Sequence, residues 1–114
     1  MRSVLIVDDY QPFREGARGL LEAGGFAVVG EAEDGTTAVR VAGELQPDVV
    51  LLDVHLPDID GFEVAKRLRA LERPPEVVLI SSRDDYEPLV ASSAARSFIR
   101  KDALSSEALE LALS

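Results

Sequence analysis

The sequence predicts an α/β domain: a doubly wound, five-stranded parallel sheet with helices on both faces. Three observations lead there. Short apolar segments rich in β-branched residues recur along the chain, stretches with helical periodicity fall between them, and apolarity within the segments is continuous rather than alternating. Continuous apolarity marks strands covered on both faces, as in parallel sheets. Alternation of such elements implies right-handed crossovers and helices on both sides. With 114 residues the chain has the length of one domain, 1–114, and shows no internal repeat, linker or second module.

The elements follow in order. The first strand is 4–7, Val4-Leu5-Ile6-Val7. Phe13, Ala17, Leu20 and Leu21 then share one helical face, and Gly24-Gly25 stops that helix. The second strand is 26–29. Ala38, Val39, Ala42 and Leu45 form the inner face of a second helix, which cannot continue through Pro47. Residues 49–54 are the third and most apolar strand. A third helix shows Val64, Ala65, Leu68 and Leu71 and ends before Pro74-Pro75, and the fourth strand is 77–80. Residues 86–95 form a weaker helix, with Tyr86, Leu89, Val90 and Ala94 inward. The fifth strand, 97–100, has only Phe98 and Ile99 as apolar residues, and a last helix spans 105–113.

Composition removes several classes. There is no cysteine, so disulfides, thiolate metal sites and cysteine nucleophiles are excluded. Apolar runs of four or five residues are far short of the ~18 that span a bilayer, and the start is too short for a signal peptide, so a cytoplasmic protein without membrane contact is expected. A net charge of −9 opposes direct nucleic-acid binding.

The placement of the acids is more informative than their number. In a doubly wound sheet, ligands bind beyond the carboxyl ends of the strands. The first strand runs into Asp8-Asp9, the third into Asp53, the fourth into Ser81-Ser82 and the fifth into Lys101. An aspartate after a strand is often a helix cap or turn residue, and a serine there often satisfies turn backbone. That bland reading is weak for three carboxylates together, because they repel one another and raise their own pKa values. A hard divalent cation, Mg²⁺ or Mn²⁺, relieves the repulsion through oxygen ligands. Lys101 is one of two lysines and supplies counter-charge for an anion. The set permits attack by a carboxylate on a phosphoryl group.

These motifs together resemble the receiver domain of two-component response regulators over nearly the whole chain. The resemblance rests on the Val4–Asp9 run, Val49-Val50-Leu51-Leu52-Asp53-Val54-His55-Leu56-Pro57-Asp58-Ile59-Asp60-Gly61, Val78-Leu79-Ile80-Ser81-Ser82 and Phe98-Ile99-Arg100-Lys101. Phe13-Arg14-Glu15-Gly16 and Lys101-Asp102 are similar to the subgroup often joined to LuxR-type helix-turn-helix outputs. The resemblance implies a flavodoxin-like sheet in the order 2-1-3-4-5 with five helices. It implies Asp53 as phosphoacceptor, Asp8 and Asp9 with the His55 backbone carbonyl as Mg²⁺ ligands, and Ser81, Phe98 and Lys101 as switch and catalytic residues. The implied partners are a sensor histidine kinase or a small phosphodonor, a downstream target or attached output domain, and a second copy in a homodimer. The switching surface would be the fourth helix, fifth strand and last helix, and the domain would not be an enzyme beyond its own phosphorylation and dephosphorylation.

Three features depart from that pattern. Ser81 and Lys101 are 20 positions apart, about two fewer than the family pattern, so a short or irregular fourth helix is expected. Ala94-Ala95 stands where a Gly-Ala pair is common. Asp102 replaces a frequent proline, before which the family's peptide bond is usually cis. His55, the one histidine, reads either as a solvated loop side chain or, with Arg83, as a group overhanging the site and tuning phosphoryl lifetime.

Other classes compete. A haloacid-dehalogenase-type phosphatase wants a second aspartate two positions after the nucleophile, where this chain has His55. A flavin- or nucleotide-binding module needs a phosphate cradle after the first strand, and Asp8-Asp9-Tyr10-Gln11-Pro12 offers none. A receiver-like interaction domain that is never phosphorylated would not need the full acidic set with Ser81 and Lys101.

Overall fold

The computed structural model describes residues 1–83 and 93–114. The strands are β1 (Ser3–Val7), β2 (Ala27–Ala32), β3 (Val49–Asp53), β4 (Glu76–Ser81) and β5 (Ser97–Arg100). The helices are α1 (Gln11–Ala23), α2 (Gly35–Leu45), α3 (Gly61–Arg69) and α4 (Ser106–Leu113), with a 3-10 turn at Lys101–Ala103. All strand pairs are parallel, in the order β2-β1-β3-β4-β5. Among the described residues, no helix is long and apolar enough to cross a membrane.

Successive residues of a strand point to opposite faces, so each strand feeds two cores. Leu5, Val7, Val50, Leu52 and Leu79 pack with Ala38 and Ala42 of α2 and Val64, Ala65 and Leu68 of α3. Val4, Ile6, Val49, Leu51, Val78 and Ile80 pack with Ala17 and Leu21 of α1 and Leu109 of α4. All five residues of β3 are buried, as the central position demands.

The helix starts are chemically marked. Asp34 and Asp60 cap α2 and α3 by accepting from the Thr37 and Glu63 N–H groups, at 2.7 and 2.9 Å, and Ser105 caps α4 through the Ala108 N–H at 2.9 Å. Asp58 also reaches the start of α2, accepting from the Gly35 and Thr36 N–H groups and the Thr36 hydroxyl. The Thr36 hydroxyl and these two N–H groups hold its carboxyl well below the usual range. Gly35 is closely packed beside it: a Cβ would lie 2.5 Å from Ile59 Cγ1, so a larger residue would have to displace that side chain.

The structure corrects the sequence reading at several points. β2 begins one residue later than expected and continues to Ala32, through Gly30 and Glu31, whose polarity hid it. Its register against β1 shifts between Val4 and Leu5, so Val29 is an extra residue and is 43% exposed. Leu20 and Leu45, read as inward, are exposed. The expected helix over 86–95 falls mostly on 84–92, outside the described residues. Its last positions, 93–95, are not helical, although Ala94 and Ala95 pack against the α2–α3 core. The Lys101–Asp102 peptide is trans. An ordinary secondary amide strongly prefers that form, and the Asp102 side chain accepts two hydrogen bonds from the Arg100 guanidinium, at 3.1 and 2.9 Å.

Candidate functional site

Register decides which side chains meet at the carboxyl rim. Val7 of β1 is opposite Leu52 of β3, so the next residues, Asp8 and Asp53, stand side by side. Asp53 is opposite Ile80 of β4, with Ser81 one step beyond it. Ser81 is opposite Arg100 of β5, and Lys101 follows immediately. The acids, the hydroxyl and the ammonium predicted from sequence therefore share one rim. Gly61, at the start of α3, lets that helix close over the end of β3: a Cβ there would lie 2.5 Å from the Asp53 carbonyl oxygen.

Asp8 is fully buried, Asp53 is 4% exposed, and Asp9 lies at the surface. One carboxylate oxygen from each lies within 4.8 Å of the others. Lys101 Nζ is 2.6 Å from Asp8 Oδ2 and 3.2 Å from Asp53 Oδ2, and it sits 4.7 Å from the centre of the Phe13 ring. The Tyr10 N–H donates to Asp8 Oδ1 at 2.9 Å, and the His55 N–H donates to Asp53 Oδ1 at 3.1 Å.

Burial, and then the charge of Asp8, push the Asp53 pKa up against the opposing pull of Lys101 and the His55 N–H. Burial also works against a charged Lys101, but Asp8 and Asp53 outweigh it and leave the lysine pKa raised. Two carboxylates thus share one ammonium. Despite the close ion pair, no well-aligned hydrogen bond from the described residues reaches Asp8 Oδ2. A buried acceptor left in that state, beside two more carboxylates, suits a small divalent cation with oxygen ligands.

The remaining predicted residues are placed as follows. Ser81 is 1% exposed, and its Oγ accepts from the Arg83 N–H at 3.1 Å. Phe98 is half-buried on β5 and packs against the α2–α3 core. His55 and Arg83 are exposed at the rim, and the contacts above reach them through their backbone N–H groups. Two neighbours escaped functional notice in the sequence. Phe13, read as core and as part of a subgroup motif with Arg14, lies against Lys101, and Arg14 donates from Nη1 to the Asp8 carbonyl oxygen at 2.6 Å. Their adjacency at the first turn of α1 was the available signal.

With fold and site in place, comparison with known proteins is direct. Residues 4–113 match the response regulator receiver domain family, and the chain belongs to it. The transcriptional regulatory protein LiaR from Bacillus subtilis is 40% identical over 110 residues, covering 94% of this chain and 52% of LiaR. The signal receiver domain of NarL from Mycobacterium tuberculosis superposes with a TM-score of 0.85 at 38% identity, over 99% of this chain and 97% of that one. A LuxR-family two-component response regulator from Aurantimonas sp. SI85-9A1 gives 0.84 at 29% identity, over 96% and 81%. The chain spans about half the length of the curated relatives it matches. The chain is thus a receiver domain of the kind found in NarL-type regulators.

Proposed function

We propose that the domain accepts a phosphoryl group on Asp53 from the phosphohistidine of a sensor histidine kinase, or from a small donor such as acetyl phosphate. The observation that carries this reading is the buried Asp53 carboxylate, flanked by Asp8 and by an ammonium shared between the two. An Asp53 oxygen attacks phosphorus, and the bond to the donor nitrogen or oxygen breaks with its electron pair leaving on the donor. The attacking group is a carboxylate, which Lys101 helps to keep ionised, so no base is required.

Asp8, Asp9, Asp53 and the His55 backbone carbonyl would hold Mg²⁺ or Mn²⁺, which when bound supplies charge neutralisation at the phosphoryl oxygens. Lys101, freed from sharing, pairs with the new phosphoryl group, and the Ser81 hydroxyl turns from the Arg83 N–H to donate to it. Movement of Ser81 lets Phe98 shift inward and changes the surface carried by β5, α4 and the segment between β4 and β5. This is a population shift driven by contacts made only to the added group. The partners of this reading are the kinase, an output domain or target, and a second copy. DNA binding would belong to the output domain and not to this acidic chain.

The test is intact mass after incubation with acetyl phosphate and Mg²⁺, or with a kinase. Gain of one phosphoryl group, dependent on the metal, is the expected result; no gain from either donor would sink the reading.

Two further results are expected. Mg²⁺ at ten times its dissociation constant should stabilise the domain by roughly 1.4 kcal/mol, by relieving repulsion among the three acids. Asp9→Asn should weaken that effect, and a melting temperature indifferent to millimolar Mg²⁺ would count against the metal. His55→Ala should change the lifetime of the phosphoryl group without preventing its attachment, because His55 lies two residues after the acceptor on the exposed rim. Decay kinetics equal to the parent's would leave His55 as a solvated loop residue.

A further inference from the structure

The acidic turn after β1 is held from outside by a cation that makes no contact with the side chains of the three clustered acids among its described hydrogen bonds. Arg14 is largely buried, its side chain 12% exposed. Its Nη1 donates to the Asp8 carbonyl oxygen at 2.6 Å, and its Nε donates to Glu31 Oε1 at 2.9 Å. The other Glu31 oxygen accepts from Arg18 Nε at 2.9 Å. Burial raises the Glu31 pKa, but the hydrogen bonds from Arg18 and Arg14 outweigh it and leave it lowered, so this anchor stays charged.

The carbonyl that Arg14 holds belongs to the peptide joining Asp8 to Asp9. Two other hydrogen bonds fix the same turn: Asp8 N–H to the Ala32 carbonyl at 3.0 Å, and Tyr10 N–H to Asp8 Oδ1 at 2.9 Å. The first acts on Asp8 itself, and the second ties the peptide after Asp9 back to the Asp8 side chain. The Arg14 fork holds the Asp8 carbonyl, and so bears on the plane of the Asp8–Asp9 peptide from which the exposed Asp9 carboxylate leaves the chain. The β2 residue that orients the fork, Glu31, lies opposite Ile6 of β1, just past the register shift in β2.

We propose that Arg14, oriented by Glu31, is a positioning residue that sets the affinity of the Asp8–Asp9–Asp53 cluster for a divalent cation. The proposal rests on the metal reading above. It makes a prediction opposite in sign to simple electrostatics. Removing a positive charge beside a cation site would, by Coulomb's law alone, tighten binding. Removing the group that orients a ligand-bearing peptide weakens it, and partners of this outer kind are typically worth about 10–100-fold in metal affinity. Lysine keeps the charge but lacks the planar fork that spans carbonyl and carboxylate together.

The experiment is titration of the whole chain with Mn²⁺, followed by electron paramagnetic resonance, with melting in a chelator as a check on folding. Arg14→Gln should bind Mn²⁺ about tenfold more weakly than the parent. Arg14→Lys should also bind more weakly, while melting close to the parent without metal. Should Arg14→Gln fail to fold, Arg14→Lys decides. A folded variant of either kind that binds Mn²⁺ as tightly as the parent, or more tightly, overturns the proposal. If the parent binds Mn²⁺ and Asp9→Asn loses it while Arg14→Lys does not, this inference alone falls. If the parent binds no Mn²⁺, the metal reading falls and takes the inference with it.

Discussion

Asp53→Asn should take up no phosphoryl group from acetyl phosphate or a cognate kinase, and without divalent cations it should melt at a higher temperature than the parent at neutral pH. The first effect follows from location. Asp53 closes the most buried strand of the sheet, so its carboxylate is held at the centre of the rim, whereas Asp9 lies at the surface. The amide keeps the shape and removes the nucleophile.

The second effect follows from the raised Asp53 pKa, caused first by burial and then by Asp8. A carboxyl whose pKa is higher folded than unfolded binds its proton more tightly in the native state. Its contribution is most favourable below the unfolded value, near 3.9, and is lost as pH rises through the folded value. Ionisation of Asp53 therefore costs the apo domain stability as pH rises, and neutral asparagine removes that cost. The gain in melting temperature should shrink as pH falls toward 4. If the variant still carried one phosphoryl group, at Ser81 or Asp9 for example, the acceptor assignment would be wrong. A lower melting temperature at neutral pH would refute the electrostatic account.

The sequence was most legible where a strand is covered on both faces. β3 and β1 show as unbroken apolar runs because the same residues serve two cores, and each run stops where the rim begins. The rule that ligands gather at the carboxyl rim then selected Asp8, Asp9, Asp53, Ser81 and Lys101 without distances. β2 was read short because it lies at the sheet edge, where Gly30 and Glu31 interrupt the apolar signal yet still pair with β1. Glu31 fell outside the expected strand, although it is the anchor for two arginines. Phe13 and Arg14 could be placed on a helix but not on the site, because their function depends on how α1 settles over the end of β1. The sequence left the Lys101–Asp102 peptide open, because Asp102 stands where the family often has proline; it is trans.

Lys101→Met should be the most destabilising single change at the rim, costing about 2–3 kcal/mol at pH 7 in the absence of metal. Breaking a buried ion pair by removing one partner typically costs about 3–5 kcal/mol, and the lower figure allows for the partial exposure of the lysine. Methionine preserves most of the aliphatic stem and removes the ammonium, which lies 4.7 Å from the centre of the Phe13 ring, so the loss reports charge rather than volume. Without the ammonium, Asp8 and Asp53 face each other at 0% and 4% exposure with no counter-charge from Lys101. The Asp53 pKa then rises further, because the group that opposed burial and Asp8 has gone. By the same linkage, the penalty should grow from pH 5 to pH 8 and fade at low pH, where a proton replaces the lysine. Millimolar Mg²⁺ should recover part of it, since a cation held by Asp8, Asp9 and Asp53 compensates the same oxygens. Lys101→Arg should not restore the parent, because a planar guanidinium cannot act as the compact point charge that lies near both carboxylates and over the ring. Urea unfolding at the two pH values, with and without Mg²⁺, measures all of this. A loss equal at both pH values and blind to Mg²⁺ would mean that Lys101 stabilises the rim by packing, and that the charge shared between Asp8 and Asp53 is not what holds the site in readiness.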